Sequence, residues 1–287
     1  MQTQIKRVAG GVFLADYNGE EYILHSPGKI KSVQKLLVGD IVEFEKQDDD
    51  FIITKVYERK NSFIRPQAAN IDIFLIVSSI EDPQFDQYLT DKLLVYSFIH
   101  NCEPIVLLTK SDLDLSKTEE IKDMYKKSGI DIYISGIDHE SYSDIEERFK
   151  GKLVMAVGNS GVGKSTFLNQ LAKDTIQKTA ETSKKLGRGR HTTRHVEIFD
   201  FGEFKLIDTP GFASLDIPLL NEGEHLQNYF PEFLKYKGSC KFNTCKHINE
   251  PGCAVKKALN DGFIDRGRYE NYLRLAEEVK NMEVNRW

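Results

Sequence analysis

Residues 152–166 constrain this chain more than any other stretch. An apolar run at 152–157 leads into Gly158-Asn159-Ser160-Gly161-Val162-Gly163-Lys164-Ser165-Thr166, and an apolar-periodic segment with Phe167, Leu168 and Leu171 follows. A strand, a glycine-rich loop with GxxxxGKS spacing and a helix form one unit, the P-loop. Gly158, Gly161 and Gly163 let successive backbone N–H groups turn toward phosphate oxygens, at a helix N-terminus that already favours anions. Lys164 is spaced to reach the β- and γ-phosphates, and the Ser165 hydroxyl to ligate Mg²⁺. A glycine-rich turn with a chance lysine leaves the strand before it and the helix after it unexplained. The segment implies a nucleoside triphosphate.

Two or three domains fit in 287 residues. With 40% hydrophobic and 29% charged residues the chain has a globular composition, which excludes full disorder. A net charge of −5 gives no global basic field, so any nucleic-acid surface has to be local. No apolar run reaches transmembrane length and residues 1–20 lack a signal-peptide core, so the expectation is a cytoplasmic protein away from membranes.

Residues 1–60 read as short strands at 8–17, 21–25, 40–46 and 51–57, separated by turn signals such as Asn18-Gly19 and Pro27-Gly28. That is the size of a small closed barrel of the OB type, serving either oligonucleotide binding or docking. Lys29, Lys31 and Lys35 either touch a phosphate backbone or form a solvated face. A polar join at 59–70 follows, and then strands alternate with helices: strands at 71–79, 104–109 and 130–134, helices at 87–100, 117–127 and 142–149. Such alternation predicts parallel βαβ units with ligand loops at the strand carboxyl ends. Thr109-Lys110-Ser111-Asp112 ends the second of these strands and Ser135-Gly136 the third. One carboxylate accepts from both N1–H and the exocyclic amine of guanine, a pair that adenine lacks; Asp112 is the candidate, with Lys110 packed over the base. The competing reading is a turn aspartate after a strand.

Beyond the P-loop helix, residues 178–194 are dense in Gly, Thr and basic residues. A threonine there would join Mg²⁺ when a γ-phosphate is present; Thr193 is the choice, Thr192 the reserve. Paired strands at 195–199 and 203–207 end in Asp208-Thr209-Pro210-Gly211. Asp208 would hold the Mg²⁺ shell and the Gly211 N–H would sense the γ-phosphate. An apolar strand ending in DxxG, about fifty residues past a P-loop, is a strong signal.

Cys240, Cys245, His247 and Cys253 crowd into one short stretch. In a reducing compartment that pattern suggests one structural Zn²⁺ rather than disulfides. Lone Cys102 reads as inert packing. Lys235, Lys237, Lys241, Lys246, Lys256 and Lys257 surround the cluster, either as an RNA footprint or as solvated charge. The tail at 266–282 carries Tyr269, Leu273, Ala276, Val279 and Lys280 in helical register, predicting a helix packed across another domain.

With these residues in hand, the chain resembles a translation-factor-class GTPase whose motif order is permuted: TKSD and Ser135 precede the P-loop instead of following DTPG. Permuted order, an N-terminal barrel and a C-terminal cysteine cluster together resemble the ribosome-small-subunit-dependent GTPase A (RsgA) family over essentially the whole chain. The resemblance implies an α/β P-loop GTPase domain, circularly permuted, at 63–218. It would be flanked by an all-β OB-like barrel at 1–62 and a zinc-binding, mainly helical domain at 219–287. It also implies a monomer that binds GTP and GDP with Mg²⁺, and hydrolyses GTP when stimulated by the small ribosomal subunit during late maturation through rRNA contacts. The alternative is an RNA-binding module that holds nucleotide without physiological turnover. Phe212 follows DTPG where a water-orienting glutamine often stands, so intrinsic hydrolysis should be slow. His191 is either the group that positions the water or an RNA contact. Lys184, Lys185, Arg188, Arg190 and Arg194 would order its loop on phosphates.

Overall fold

The computed structural model describes residues 1–28, 30, 34–135, 142–178, 196–209, 217, 220 and 225–284. Five strands, β1 (Gln2–Ala9), β2 (Val12–Tyr17), β3 (Glu20–His25), β4 (Ile41–Gln47) and β5 (Asp50–Val56), close into a barrel in the order β1-β2-β3-β5-β4. The single strand expected at 8–17 is therefore two. Gly10 and Gly11 sit at φ 57° and 86°, the pair of positive φ angles that a tight two-residue hairpin demands. Ile5, Phe13, Ala15, Leu24, Val42, Phe44 and Ile53 fill the interior. Arg59 anchors the join to the barrel: its Nε and Nη2 donate to the buried Asp40 carboxylate at 2.6 and 2.8 Å. The join also folds into a small hairpin, β6 (Ser62–Phe63) with β7 (Ala68–Ala69), too short for sequence periodicity to register.

The central sheet contains β8 (Ile73–Ser79), β9 (Glu103–Thr109), β10 (Ile132–Ile134), β11 (Leu153–Val157), β12 (Ile198–Asp200) and β13 (Lys205–Asp208). Its order is β10-β9-β8-β11-β13-β12, parallel except for β12 against β13. Strands β8 and β11 lie in the middle with both faces covered, which explains their unbroken apolar sequences. Helices α1 (Gln87–Ile99) and α2 (Leu115–Ser128) cover one face, where Phe74, Ile76, Leu93, Val106, Tyr125 and Met155 pack together. Helices α3 (Tyr142–Phe149) and α4 (Lys164–Lys178) cover the other, with Leu75, Leu107, Ile145, Val154, Phe167 and Leu171. Asp86 and Asp114 cap α1 and α2, each accepting a backbone N–H at 2.9 Å. Cys102 is buried, and burial pushes its thiol up to about 12, in keeping with inert packing.

The C-terminal part is built from α5 (Pro231–Leu234), α6 (Ala254–Asn260) and the long α7 (Arg266–Val284). Val95 of α1 joins the core of this part with Phe230, Phe233, Tyr272 and Leu275, so α1 is sandwiched between the sheet and α7. Lys92 pairs with Glu278 at 2.8 Å, and the Arg274 guanidinium lies 3.5 Å from the Tyr88 ring centroid. The helix expected at 266–282 is present, but its buried stripe is Arg268, Tyr269, Tyr272, Leu275 and Val279; Lys280 is exposed and Leu273 half-buried.

Arg268 was the unforeseen member. Its Nη1 donates to Asp91 Oδ1 at 2.5 Å, and its Nε and Nη2 fork onto Glu232 at 2.6 and 3.1 Å. Tyr125 and Asn271 donate to the Asp91 carboxylate at 2.8 and 2.7 Å, and Ser128 to Glu232 at 3.2 Å. Burial pushes the Asp91 pKa up, and the Arg268 charge opposes it together with the Asn271 and Tyr125 donors. Among the described residues no helix is long and apolar enough to cross a membrane.

Candidate functional site

Strand β11 delivers Gly158 between β8 and the N-terminus of α4. A Cβ on Gly158 would fall inside van der Waals contact of the Val77 carbonyl oxygen and 3.2 Å from Val162 Cγ2, so the loop passes this point only as glycine. Gly161 and Gly163 hold φ of 81° and 85°. Ser160, Gly161, Ser165 and Thr166 are exposed, Asn159 and Gly163 half-buried, and Val162 is buried under the loop. Gly158→Ala should therefore cost about 1–3 kcal/mol of stability by overpacking and abolish triphosphate binding. A thermal melt and a titration with labelled nucleotide check both effects.

Lys164 Nζ donates to Asp208 Oδ1 at 2.5 Å and also to the Thr209 carbonyl. Thr209 Oγ1 in turn donates to the Ala156 carbonyl at 2.7 Å, tying the end of β13 to β11 beside it. The P-loop lysine and the carboxylate of the DxxG strand thus share one point at the carboxyl edge of the sheet, a pairing that two motifs far apart in sequence reach through adjacent parallel strands. Thr209 was not singled out from sequence. Its role follows from strand adjacency, which no local motif displays.

The TKSD stretch leaves β9 at the same edge. Thr109 Oγ1 lies within hydrogen-bonding distance of the Val162 and Ser78 carbonyls, so this residue braces the P-loop. Lys110, at φ 55°, sends Nζ to the Asp82 carbonyl. Ser111 is buried with Oγ donating to the Ser135 carbonyl at 3.3 Å, and the Ser135 hydroxyl meets Tyr142 OH at 2.5 Å. Asp112 is exposed, and among the described residues none engages its carboxylate. The structure thus brings Thr109, Lys110, Ser111, Asp112, Ser135, the P-loop residues and Asp208 to one sheet edge. Gly136, His191, Thr192, Thr193, Gly211 and Phe212 lie outside the described residues, as do Lys29, Lys31, Lys184, Lys185, Arg188, Arg190 and Arg194. Lys35 is exposed.

In the C-terminal part, the donor atoms of Cys240, Cys245, His247 and Cys253 all lie within 4.8 Å of one another. His247 Nδ1 is 3.6, 3.4 and 3.4 Å from the sulfurs of Cys240, Cys245 and Cys253, and Cys240 and Cys253 are 4.0 Å apart. A tetrahedral ion with bonds of about 2.3 Å to sulfur and 2.0 Å to nitrogen separates its ligands by about 3.5–3.8 Å, so the donor set fits a metal ion. Backbone N–H groups of Ala254 and Lys256 donate to the Cys240 and Cys253 sulfurs, as thiolates require. Burial lowers the His247 pKa, favouring the neutral, ligating imidazole. Tyr269 OH donates to the His247 carbonyl at 2.6 Å, so α7 supports the ligand loop. Glu250 ties the loop from inside, accepting from the Lys246, Ile248 and Asn249 N–H groups.

A P-loop lysine meeting a DxxG aspartate, with a TKSD loop from upstream in the chain braced against the P-loop, defines a circularly permuted GTPase fold. Residues 56–218 match the sequence profile of the RsgA GTPase family. The chain is 41% identical over 258 residues to the small ribosomal subunit biogenesis GTPase RsgA of Caldanaerobacter subterraneus, covering 88% of this chain and 86% of that one. It is 38% identical over 296 residues to the protein of the same name from Lactococcus lactis, covering 97% and 94%. Among solved structures, YloQ, titled a circularly permuted GTPase, superposes with a TM-score of 0.80 at 31% identity, covering 98% of this chain and 95% of that one. YjeQ from Thermotoga maritima gives 0.79 at 28%, covering 97% and 98%. This chain belongs to the RsgA GTPase family.

Proposed function

We propose that this chain hydrolyses GTP to GDP and phosphate and acts in biogenesis of the small ribosomal subunit, which stimulates its turnover late in assembly through rRNA contacts. The observation that carries the reading is the bracing of the TKSD loop on the P-loop through Thr109, with Lys164 and Asp208 2.5 Å apart beside it. In this reading Gly158, Asn159, Ser160, Gly161, Val162, Gly163 and Thr166 form the phosphate cradle, and Lys164 neutralises the β- and γ-oxygens. Thr109, Lys110, Ser111, Asp112 and Ser135 hold the base. Ser165, Thr193 and Asp208 would hold Mg²⁺, which would neutralise charge on the phosphates, and the Gly211 N–H would sense the γ-phosphate. His191 positions water in place of the glutamine that Phe212 displaces. Cys240, Cys245, His247 and Cys253 would hold one structural Zn²⁺ with no open position for a substrate. The reading also takes the domains as 1–62, 63–218 and 219–287, the chain as a cytoplasmic monomer, and the partners as the small subunit and its rRNA. Nucleotide holding without turnover is disfavoured, since the relatives are named GTPases.

Asp112→Asn tests the base assignment. The amide no longer accepts from N1–H and the exocyclic amine together, so GTP affinity should fall roughly 100-fold, with xanthosine triphosphate gaining relative affinity. Unchanged GTP preference would remove Asp112 from base recognition. Lys164→Ala and Ser165→Ala should each impair triphosphate binding or turnover while the circular-dichroism melt is retained.

A further inference from the structure

Beside the Cys–His cluster the surface opens into a cleft of about 420 Å³, lined by Asn228, Leu234, Lys237, Phe242 and Asn243, with the cluster in its wall. That volume lies in the range of small-molecule sites, larger than packing defects. Phe242 and Leu234 are 43% and 45% exposed and put apolar surface at the mouth of the cleft. Lys241 Nζ stands 5.6 Å from the Phe242 ring centroid, and Lys237 lines the cleft.

Charge decides the kind of occupant. Between residues 235 and 257 the sequence holds six lysines and one acid, Glu250, in a chain of net charge −5. Glu250 spends its carboxylate on three backbone N–H groups, and Lys237, Lys241 and Lys246 have no acidic partner among the described residues. A concave pocket with an exposed aromatic ring, amide side chains and unpaired cations suits a polyanion that carries flat rings.

We propose that this cleft takes one unstacked nucleobase of single-stranded RNA, stacked on Phe242, with Lys237 and Lys241 on the flanking phosphates and Asn228 and Asn243 facing the base edge. This deepens the ribosomal reading above and rests on it. Single-stranded loops are where proteins read RNA by stacking and base-edge contacts, whereas duplex RNA offers mostly backbone and shape.

The test uses the full chain with its metal and a short unstructured fluorescent RNA, with a duplex of equal length for comparison. Phe242→Ala should weaken single-strand binding about 10-fold and leave duplex binding unchanged, and Phe242→Trp should restore the loss. Removing both Lys237 and Lys241 should reduce the salt dependence of log K by about 1.4. Wild-type affinity in Phe242→Ala, failure of Trp to restore, or an equal loss on duplex would each overturn the proposal. So would protection of the 240–247 segment from hydrogen exchange by an RNA-free ribosomal protein and not by RNA, which would make the occupant a protein. Stimulation of GTP hydrolysis by small subunits separates the two levels: stimulation of the wild type with no effect of Phe242→Ala on RNA overturns only this cleft assignment. Absence of stimulation overturns the reading beneath it.

Discussion

Cys245→Ala should unfold the metal-binding module, because its thiol is one of four donors on which the 240–253 segment closes. Structural zinc sites hold roughly 10–16 kcal/mol of apparent binding energy, far above what this small core supplies alone. Wild-type protein purified without chelator should carry one zinc per chain, and the variant less than a tenth of that. Hydrogen exchange should accelerate across 225–264. It should change less in α1 and α7, which hold each other through Lys92, Glu278 and the Arg268 cluster. GTP affinity should stay within about 3-fold, since none of the sheet-edge residues touches the cluster. A metal-free wild type with an intact melt would remove the zinc assignment.

Arg268→Ala should lower stability by about 3–5 kcal/mol, the cost of leaving buried charge without its partner. Asp91 and Glu232 are 0% and 2% exposed and would both face an apolar interface with their cation gone. Arg268→Lys should recover only part of the loss, because a single ammonium cannot fork onto Glu232 while reaching Asp91. Urea denaturation monitored by circular dichroism gives the magnitude, and the earlier transition should be the release of α7 from α1. If Arg268→Ala melts within about 0.5 kcal/mol of the wild type, the interface is held by its aromatic core, and the ion cluster adds nothing.

What was legible in the sequence was whatever the chemistry keeps local. The P-loop, DxxG and the Cys–His stretch each concentrate their residues in a few positions, and each carries a steric or coordination reason that no tertiary knowledge is needed to state. The α/β alternation was equally plain, because β8 and β11 are buried on both faces and read as unbroken apolar runs. Permutation was legible as motif order alone. The hairpin at Gly10-Gly11 was available and was missed, since Val8 and Val12 on either side continue an apolar pattern across the two glycines. The β6–β7 hairpin and the short helix α6 offered too few residues for any period.

Arg268 illustrates a different limit. An arginine on a helix reads as solvated, and nothing near it announces two carboxylates that arrive from α1 and α5. The bracing of Val162 by Thr109 is of the same kind, joining residues 53 apart. Periodicity gives Tyr269 and Val279 of the α7 stripe but puts Leu273 and Ala276 where the structure buries Tyr272 and Leu275.

The central claim is that turnover of GTP is completed by the small ribosomal subunit. Single-turnover hydrolysis of radiolabelled GTP by the full chain, with and without purified small subunits and across salt concentration, measures it directly. The account predicts slow hydrolysis by the chain alone and a rate at least about 10-fold higher with subunits, falling steeply as salt weakens the phosphate contacts. Equal rates with and without subunits, at protein concentrations where both GTP and subunits are bound, would contradict it.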